Sequence, residues 1–301
     1  MKETTYAAID VGSNAVRLLI KRTDGNGAAD DVRLVKLLLL RVPLRLGFDV
    51  FAKGEISKKK AEDVVRFMKA CRQLMKIYDV DRLRACATSA MRDAANGQDI
   101  IREIRKETDI RLEIISGQEE ARIVFNNHIE RGEVDNGNYL YVDVGGGSTE
   151  LNLLSGGKLM ETKSFNIGTV RILTGKVRDA EWEEMADFLD SIHSRYGNIR
   201  IIGSGGNINK LYKLAGVKDS GMKSFAVSEL QRLYDELSPL SVSERMEKYG
   251  MRSDRADVIV PACSIFLFVA RHIDAVTLIV PTIGVADGII DGLFLDDLES
   301  V

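Results

Sequence analysis

The chain of 301 residues carries 42 Lys+Arg against 45 Asp+Glu, a net charge of −3, with 45% hydrophobic and 29% charged residues. That length allows two domains of roughly 150 residues, each able to bury its own core. The balance excludes a global field drawing in nucleic acid polymers or an anionic membrane, and no apolar run reaches the roughly 20 residues of a bilayer span.

The first strand starts within a few residues of Met1, so no leader segment is expected. Residues 5–10, 14–22 and 32–41 read as strands, rich in Val, Ile, Leu and Ala and separated by turn signals such as Asp24 to Gly27. Arg41, Arg45, Lys58 to Lys60 and Arg92 are the local basic groups available to a polyanion; the lysine run otherwise reads as a solvated first helical turn. Apolar residues at three- and four-residue spacing predict a helix over 57–78. Strand 82–87, helix 89–107, strand 111–115 and helix 117–131 complete a β-β-β-α-β-α-β-α order.

After a polar linker, Gly132 to Asn138, the pattern restarts. Strands 139–144, 149–155 and 158–165 lead to helices 168–174 and 179–195, strand 199–203, further helices including 253–272, strand 275–280 and a terminal helix from about 284. Two copies of a mixed sheet with helices on its faces predict an α/β protein. The boundaries are 1–130 and 131–301, with the terminal helix free to pack back on the first domain. Cys71, Cys86 and Cys263 are isolated, without C-x-x-C spacing, which fits packing cysteines in a reduced, cytoplasmic protein. The stretch 265–269 reads as core, with a homodimer surface as the alternative.

The repeat also carries chemistry. Tyr6 to Asn14 returns as Tyr139 to Thr149, each an apolar run ending in an aspartate before a glycine turn, with Asp10 and Asp143 separated by 143 − 10 = 133 residues. Backbone N–H groups of such turns close around phosphate oxygens while the carboxylate holds a hydrated divalent cation. Two such hairpins facing a cleft would grip a phosphorylated substrate from both sides. One aspartate alone would read as an acceptor within its own turn.

Other motifs leave alternatives. In Ser116-Gly117-Gln118-Glu119-Glu120, Ser116 and Glu119 make an S-x-x-E capping box, which leaves Glu120 either facing the cleft or serving as a first-turn acid. Thr88 to Arg92 is either an anion site or a capped helix start with an exposed arginine. Ile202 to Asn207 either approaches a ligand closely or makes a tight connection, without G-x-G-x-x-G spacing. The scattered His128, His193 and His272 do not suggest a metal centre.

The segments A-I-D-V-G-S-N-A (8–15), A-T-S-A-M-R-D-A-A-N-G (87–97), I-I-S-G-Q-E-E-A-R-I (114–123) and Y-V-D-V-G-G-G-S-T-E-L (141–151) resemble the exopolyphosphatase/guanosine pentaphosphate phosphohydrolase family. The resemblance implies two actin-like (ribonuclease-H-like) domains with an active-site cleft between them. The activity it implies is release of a terminal phosphate from polyphosphate or guanosine pentaphosphate with Mg²⁺ or Mn²⁺. By matching positions, Glu120 is the catalytic base. Asp143 and Glu150 match the acids that position metal and water, and the repeated hairpin adds Asp10 near the same ion; Ser13, Asn14, Arg92, Gly145, Gly146, Gly147 and Ser148 match the groups that contact phosphate. Gly284 to Gly288 lacks the arginine of that family's G-L-R-E-G-like segment, and the chain ends at Val301 without an appended H-D-containing domain. It therefore resembles a short, two-domain form. A sugar or acid kinase of the same superfamily and a non-catalytic sensor of nucleotide or polyphosphate are the alternatives.

Overall fold

The computed structural model describes residues 3–24, 33–129, 136–217, 223–281 and 284–299. Most of the Asp24–Gly27 turn and of the Gly132–Asn138 linker lies outside them, as does the His128 side chain. The chain forms two compact units, Met1–Ser116 with Val285–Val301, and Gly117–Gly284.

The first repeat runs β1 (Thr5–Val11), β2 (Val16–Thr23), β3 (Leu34–Val42), α1 (Leu46–Lys53), α2 (Lys58–Ile77), β4 (Arg82–Ala87), α3 (Ser89–Asp93), α4 (Gly97–Thr108), β5 (Leu112–Ile114) and α5 (Gly117–Ile129). Its sheet order is β3-β2-β1-β4-β5. The first two hairpins are antiparallel, and β4 and β5 join parallel. Every residue of β1 is buried, as expected of a central strand covered on both faces.

The second repeat runs β6 (Asn138–Val144), β7 (Thr149–Ser155), β8 (Lys158–Phe165), α6 (Thr169–Leu173), α7 (Asp179–Tyr196), β9 (Ile199–Ser204), α8 (Gly206–Ala215), β10 (Ser224–Ala226), α9 (Val227–Leu237), α10 (Val242–Tyr249), α11 (Ser253–Ala256), α12 (Ile259–His272), β11 (Thr277–Ile279) and α13 (Val285–Glu299). Its sheet order, β10-β11-β9-β6-β7-β8, repeats that of the first unit with β10 added antiparallel at one edge. The expected α/β class with a duplicated ribonuclease-H-like sheet is therefore what the chain adopts. Ile265, Phe266, Leu267 and Val269 of α12 are buried in the core of this unit.

Several boundaries differ from the sequence reading. Helix α1 was not expected, although Leu46, Val50 and Phe51 share its buried face and Gly54 ends it at φ 82°. The helix expected over 89–107 breaks at Ala94, whose backbone is extended. Asn96 there exchanges two hydrogen bonds with the Ile56 backbone, and a Cβ on Gly97 would lie 2.3 Å from Met91 O. The helix expected over 253–272 is likewise interrupted before α12, whose third residue is Pro261.

The units divide at Ser116/Gly117 and Gly284/Val285, whereas the sequence pattern places one boundary at 130/131. Polar residues after 131 look like a linker, yet α5 already packs on β7 and β8. Helix α13 packs on β1, β2 and β4. Lys21, 4% exposed, meets Asp287 at 2.9 Å and Asp291 at 3.1 Å, and Asp297 takes Tyr6 and Arg82. Asp287, the acid standing in the segment without the family's arginine, thus has a partner within its own unit.

Candidate functional site

Both hairpins are built alike. In the first, Asp10 stands opposite Arg17, and Gly12 N–H closes the turn on Ala15 O at 3.1 Å. In the second, Asp143 stands opposite Glu150, and Gly145 N–H closes on Ser148 O at 2.9 Å. All four residues of one turn map onto the other by the same offset of 133.

The segment after each third strand holds its turn in place. Gly47 N–H donates to Ser13 O at 2.8 Å and Arg45 N–H to Asn14 O at 3.0 Å. Val170 N–H donates to Gly146 O at 2.8 Å and Arg171 Nε to Gly147 O at 2.8 Å. None of Gly145, Gly146 and Gly147 has a positive φ; close packing is the requirement here. A Cβ on Gly168 would lie 2.5 Å from Gly146 O and from Gly147 backbone atoms.

Within the first unit, Ser13 Oγ and Ser89 Oγ share a buried hydrogen bond of 2.8 Å, joining the turn to the start of α3. Thr88 makes no side-chain cap there. Arg92 Nη1 donates to Ile115 O at 2.9 Å and its Nε lies 3.9 Å from Asp93 Oδ1, so this half-buried guanidinium already has two partners and only its remaining N–H groups could meet an anion. Asp10 is 3% exposed and forms an ion pair with Arg17. Of the other basic groups, Lys60 pairs with Asp49 at 2.7 Å and donates to Arg45 O, so it is an anchor within the fold and not merely a solvated face.

Within the second unit a polar row crosses four strands. Ser204 (β9), Asp143 (β6), Glu150 (β7) and Ser164 (β8) stand successively opposite one another, hence on one sheet face. Ser164 Oγ donates to Glu150 Oε1 at 3.0 Å. Gly205, at φ 95°, brings its backbone so close that a Cβ would lie 3.0 Å from Asp143 Oδ1. Buried Ser204 Oγ has no hydrogen-bond partner among the described residues.

Helix α5 starts against this row. A Cβ on Gly117 would sit 2.3 Å from Ser164 Oγ and 3.7 Å from Glu150 Oε1. One turn on, Glu120 is 7% exposed, and Asn152 Nδ2 ties the following residue, Ala121, to β7 through its carbonyl at 3.1 Å. The structure therefore gathers Glu120, Asp143, Glu150 and the 145–148 turn in one unit. Asp10, Ser13, Asn14 and Arg92 gather in the other.

Arg17, Ser164 and Ser204 escaped sequence reasoning. Arg17 was legible as the residue seven after Asp10, as Glu150 is seven after Asp143. Ser204 lay inside a motif noted for its glycines, and Ser164 carried no signal.

Among the described residues no group of three or more His, Cys, Asp or Glu is placed to hold a metal ion. Two buried carboxylates and a buried hydroxyl, with glycines in place of side chains beside them, still suit a hard oxygen-seeking cation. Such an ion would draw its remaining ligands from water or phosphate, as Mg²⁺ commonly does. No helix among the described residues is long and apolar enough to cross a membrane.

The profile of the Ppx/GppA phosphatase family matches residues 28–297. A bifunctional 3-dehydroquinate synthase/phosphatase of Fusobacterium nucleatum is 28% identical over 84% of this chain, which spans only 41% of that protein. Exopolyphosphatase 1 of Mycobacterium leprae is 26% identical over 84% of this chain and 78% of its own. The crystal structure of the Aquifex aeolicus Ppx/GppA family member superposes with a TM-score of 0.78 at 25% identity, covering 98% of this chain and 99% of the other.

Proposed function

The chain belongs to the Ppx/GppA phosphatase family, and from that premise we propose that it is a phosphohydrolase. It releases the terminal phosphate of inorganic polyphosphate, guanosine pentaphosphate or both. The observation that carries this reading is Glu120, a carboxylate 7% exposed in the first turn of a helix seated against Glu150 and Ser164. A buried carboxylate on a helix seated against that row is the group assigned here to orient water and take its proton.

In the proposed reaction, water attacks the terminal phosphorus in line with the leaving phosphate oxygen. The new P–O bond forms as the bridging P–O bond breaks, and Glu120 accepts the proton. The 145–147 turn and the Ser148 hydroxyl bind phosphate oxygens; Ser13, Asn14 and Arg92 of the first unit are assigned the same task. Mg²⁺ or Mn²⁺ on Asp143 and Glu150 would neutralise developing phosphate charge. A cytoplasmic place of action is part of the proposal and is supported by three buried thiols, two of them raised by burial to about 12.

The test is phosphate release from polyphosphate and from guanosine pentaphosphate, side by side, without any acceptor. Release from at least one is expected. Transfer from ATP to a sugar or acid, with no release to water, would replace the hydrolase reading by the kinase one.

A further inference from the structure

The two hairpins share fold, turn and register, and differ at one decisive pair. Opposite Asp10 stands a cation, Arg17; opposite Asp143 stands a second carboxylate, Glu150. The first hairpin end therefore pairs a carboxylate with a guanidinium, and the second sets two carboxylates opposite each other. Asp10 is 3% exposed and its carboxylate meets the guanidinium directly, while the Arg17 side chain stays 33% exposed. A buried carboxylate already neutralised by a guanidinium offers little to a divalent ion, which would have to displace a charge-assisted hydrogen bond.

We infer that Arg17 fixes the metal stoichiometry at one ion per chain: by occupying Asp10 it keeps the first hairpin from taking a divalent cation. The ion is thereby confined to the Asp143–Glu150 hairpin. Arg17 is a positioning residue here, acting through Asp10. The inference rests on the metal reading of Asp143 and Glu150 proposed above. It also departs from the expectation, drawn from the repeated Asp-Gly hairpin, that Asp10 belongs to the metal set.

The experiment counts bound metal and needs no turnover. Mn²⁺ alone is titrated into the full chain, and unbound Mn²⁺ is read by electron paramagnetic resonance. Wild type, Asp10→Asn, Arg17→Glu and Glu150→Gln are compared. Arg17→Glu copies into the first hairpin the Asp–Glu pair that the second already carries, so the fold has a precedent for it.

Wild type is expected to bind one ion. Asp10→Asn should keep that ion with affinity changed less than about twofold, since Asp10 is not a ligand; loss of a ligating or supporting group costs about 10–100-fold. Arg17→Glu should bind a second ion, and Glu150→Gln should weaken the first about tenfold or more. Two ions on wild type, or about tenfold weakening in Asp10→Asn, would overturn the inference. So would an Arg17→Glu protein that is folded by circular dichroism yet gains no ion. If Arg17→Glu misfolds, the Asp10→Asn result decides alone. Wild type binding none while Arg17→Glu binds one would uphold Arg17 and refute the metal role of Asp143 and Glu150, which separates the two readings.

Discussion

Asp143 and Glu150 stand directly opposite each other across β6 and β7, at the same seven-residue step that joins Asp10 to Arg17 across β1 and β2. Two buried carboxylates at one register repel unless a cation lies between or beside them. Glu150→Gln halves that charge and keeps an oxygen for the Ser164 hydroxyl. The Mg²⁺ concentration giving half-maximal phosphate release should then rise about tenfold or more. Titrating the rate with Mg²⁺ checks it, and an unchanged half-saturation point would remove Glu150 from the metal set.

Glu120→Gln isolates the proton-accepting role. The amide keeps the shape of a side chain 7% exposed but has no basic oxygen, so phosphate release should fall by about 10² or more. Thermal unfolding and metal binding should match wild type. Full release by this variant would sink the assignment of the base.

The duplicated sheet was legible because its strands are apolar runs closed by turn residues at matching positions, a pattern local to the sequence. The interruptions at Ala94 and before α12 were not legible: they depend on Asn96 finding Ile56 and on a helix start at Ile259. The site divides the same way. Asp10, Asp143 and the glycine turns stand out by repetition. Glu120 was undecided from spacing and gained a role only through the resemblance. Ser164 matters because β8 pairs with β7 in one particular register, a tertiary fact with no local trace.

Acid should loosen the first unit through Asp49. Burial pushes its carboxyl up, but hydrogen bonds from Lys60 and Ser57 and the Lys60 charge together outweigh burial and hold it below its ordinary value of 3.8. A depressed folded value means the stabilisation is full above the unfolded pKa and is lost as pH falls through the folded one. Urea unfolding from neutral pH to below about pH 4 should therefore show a steeper loss in wild type than in Lys60→Met. Glu181 adds to the same acid limb in both proteins: burial raises it, and Arg178 and Asn166 outweigh that rise. Parallel pH curves for the two proteins would remove Lys60 as the cause.

Lys21 is the buried charge that ties α13 to the first sheet. Its side chain is 5% exposed, and its ammonium lies 2.9 Å from Asp287 and 3.1 Å from Asp291, one helical turn apart. Tyr6 and Arg82 hold Asp297 further along the same helix, and Phe294 packs edge-on against Tyr6. Lys21→Met keeps the stem's packing but removes the cation that Asp287 and Asp291 share. Removing one partner of a buried pair costs about 3 kcal/mol, here shared with the Tyr6 and Arg82 contacts that remain. Hydrogen exchange should rise first in α13 and only weakly in β6 and β7, because α13 packs on β1, β2 and β4. A uniform rise across both units would mean that Lys21 supports the fold globally and not the docking of this one helix.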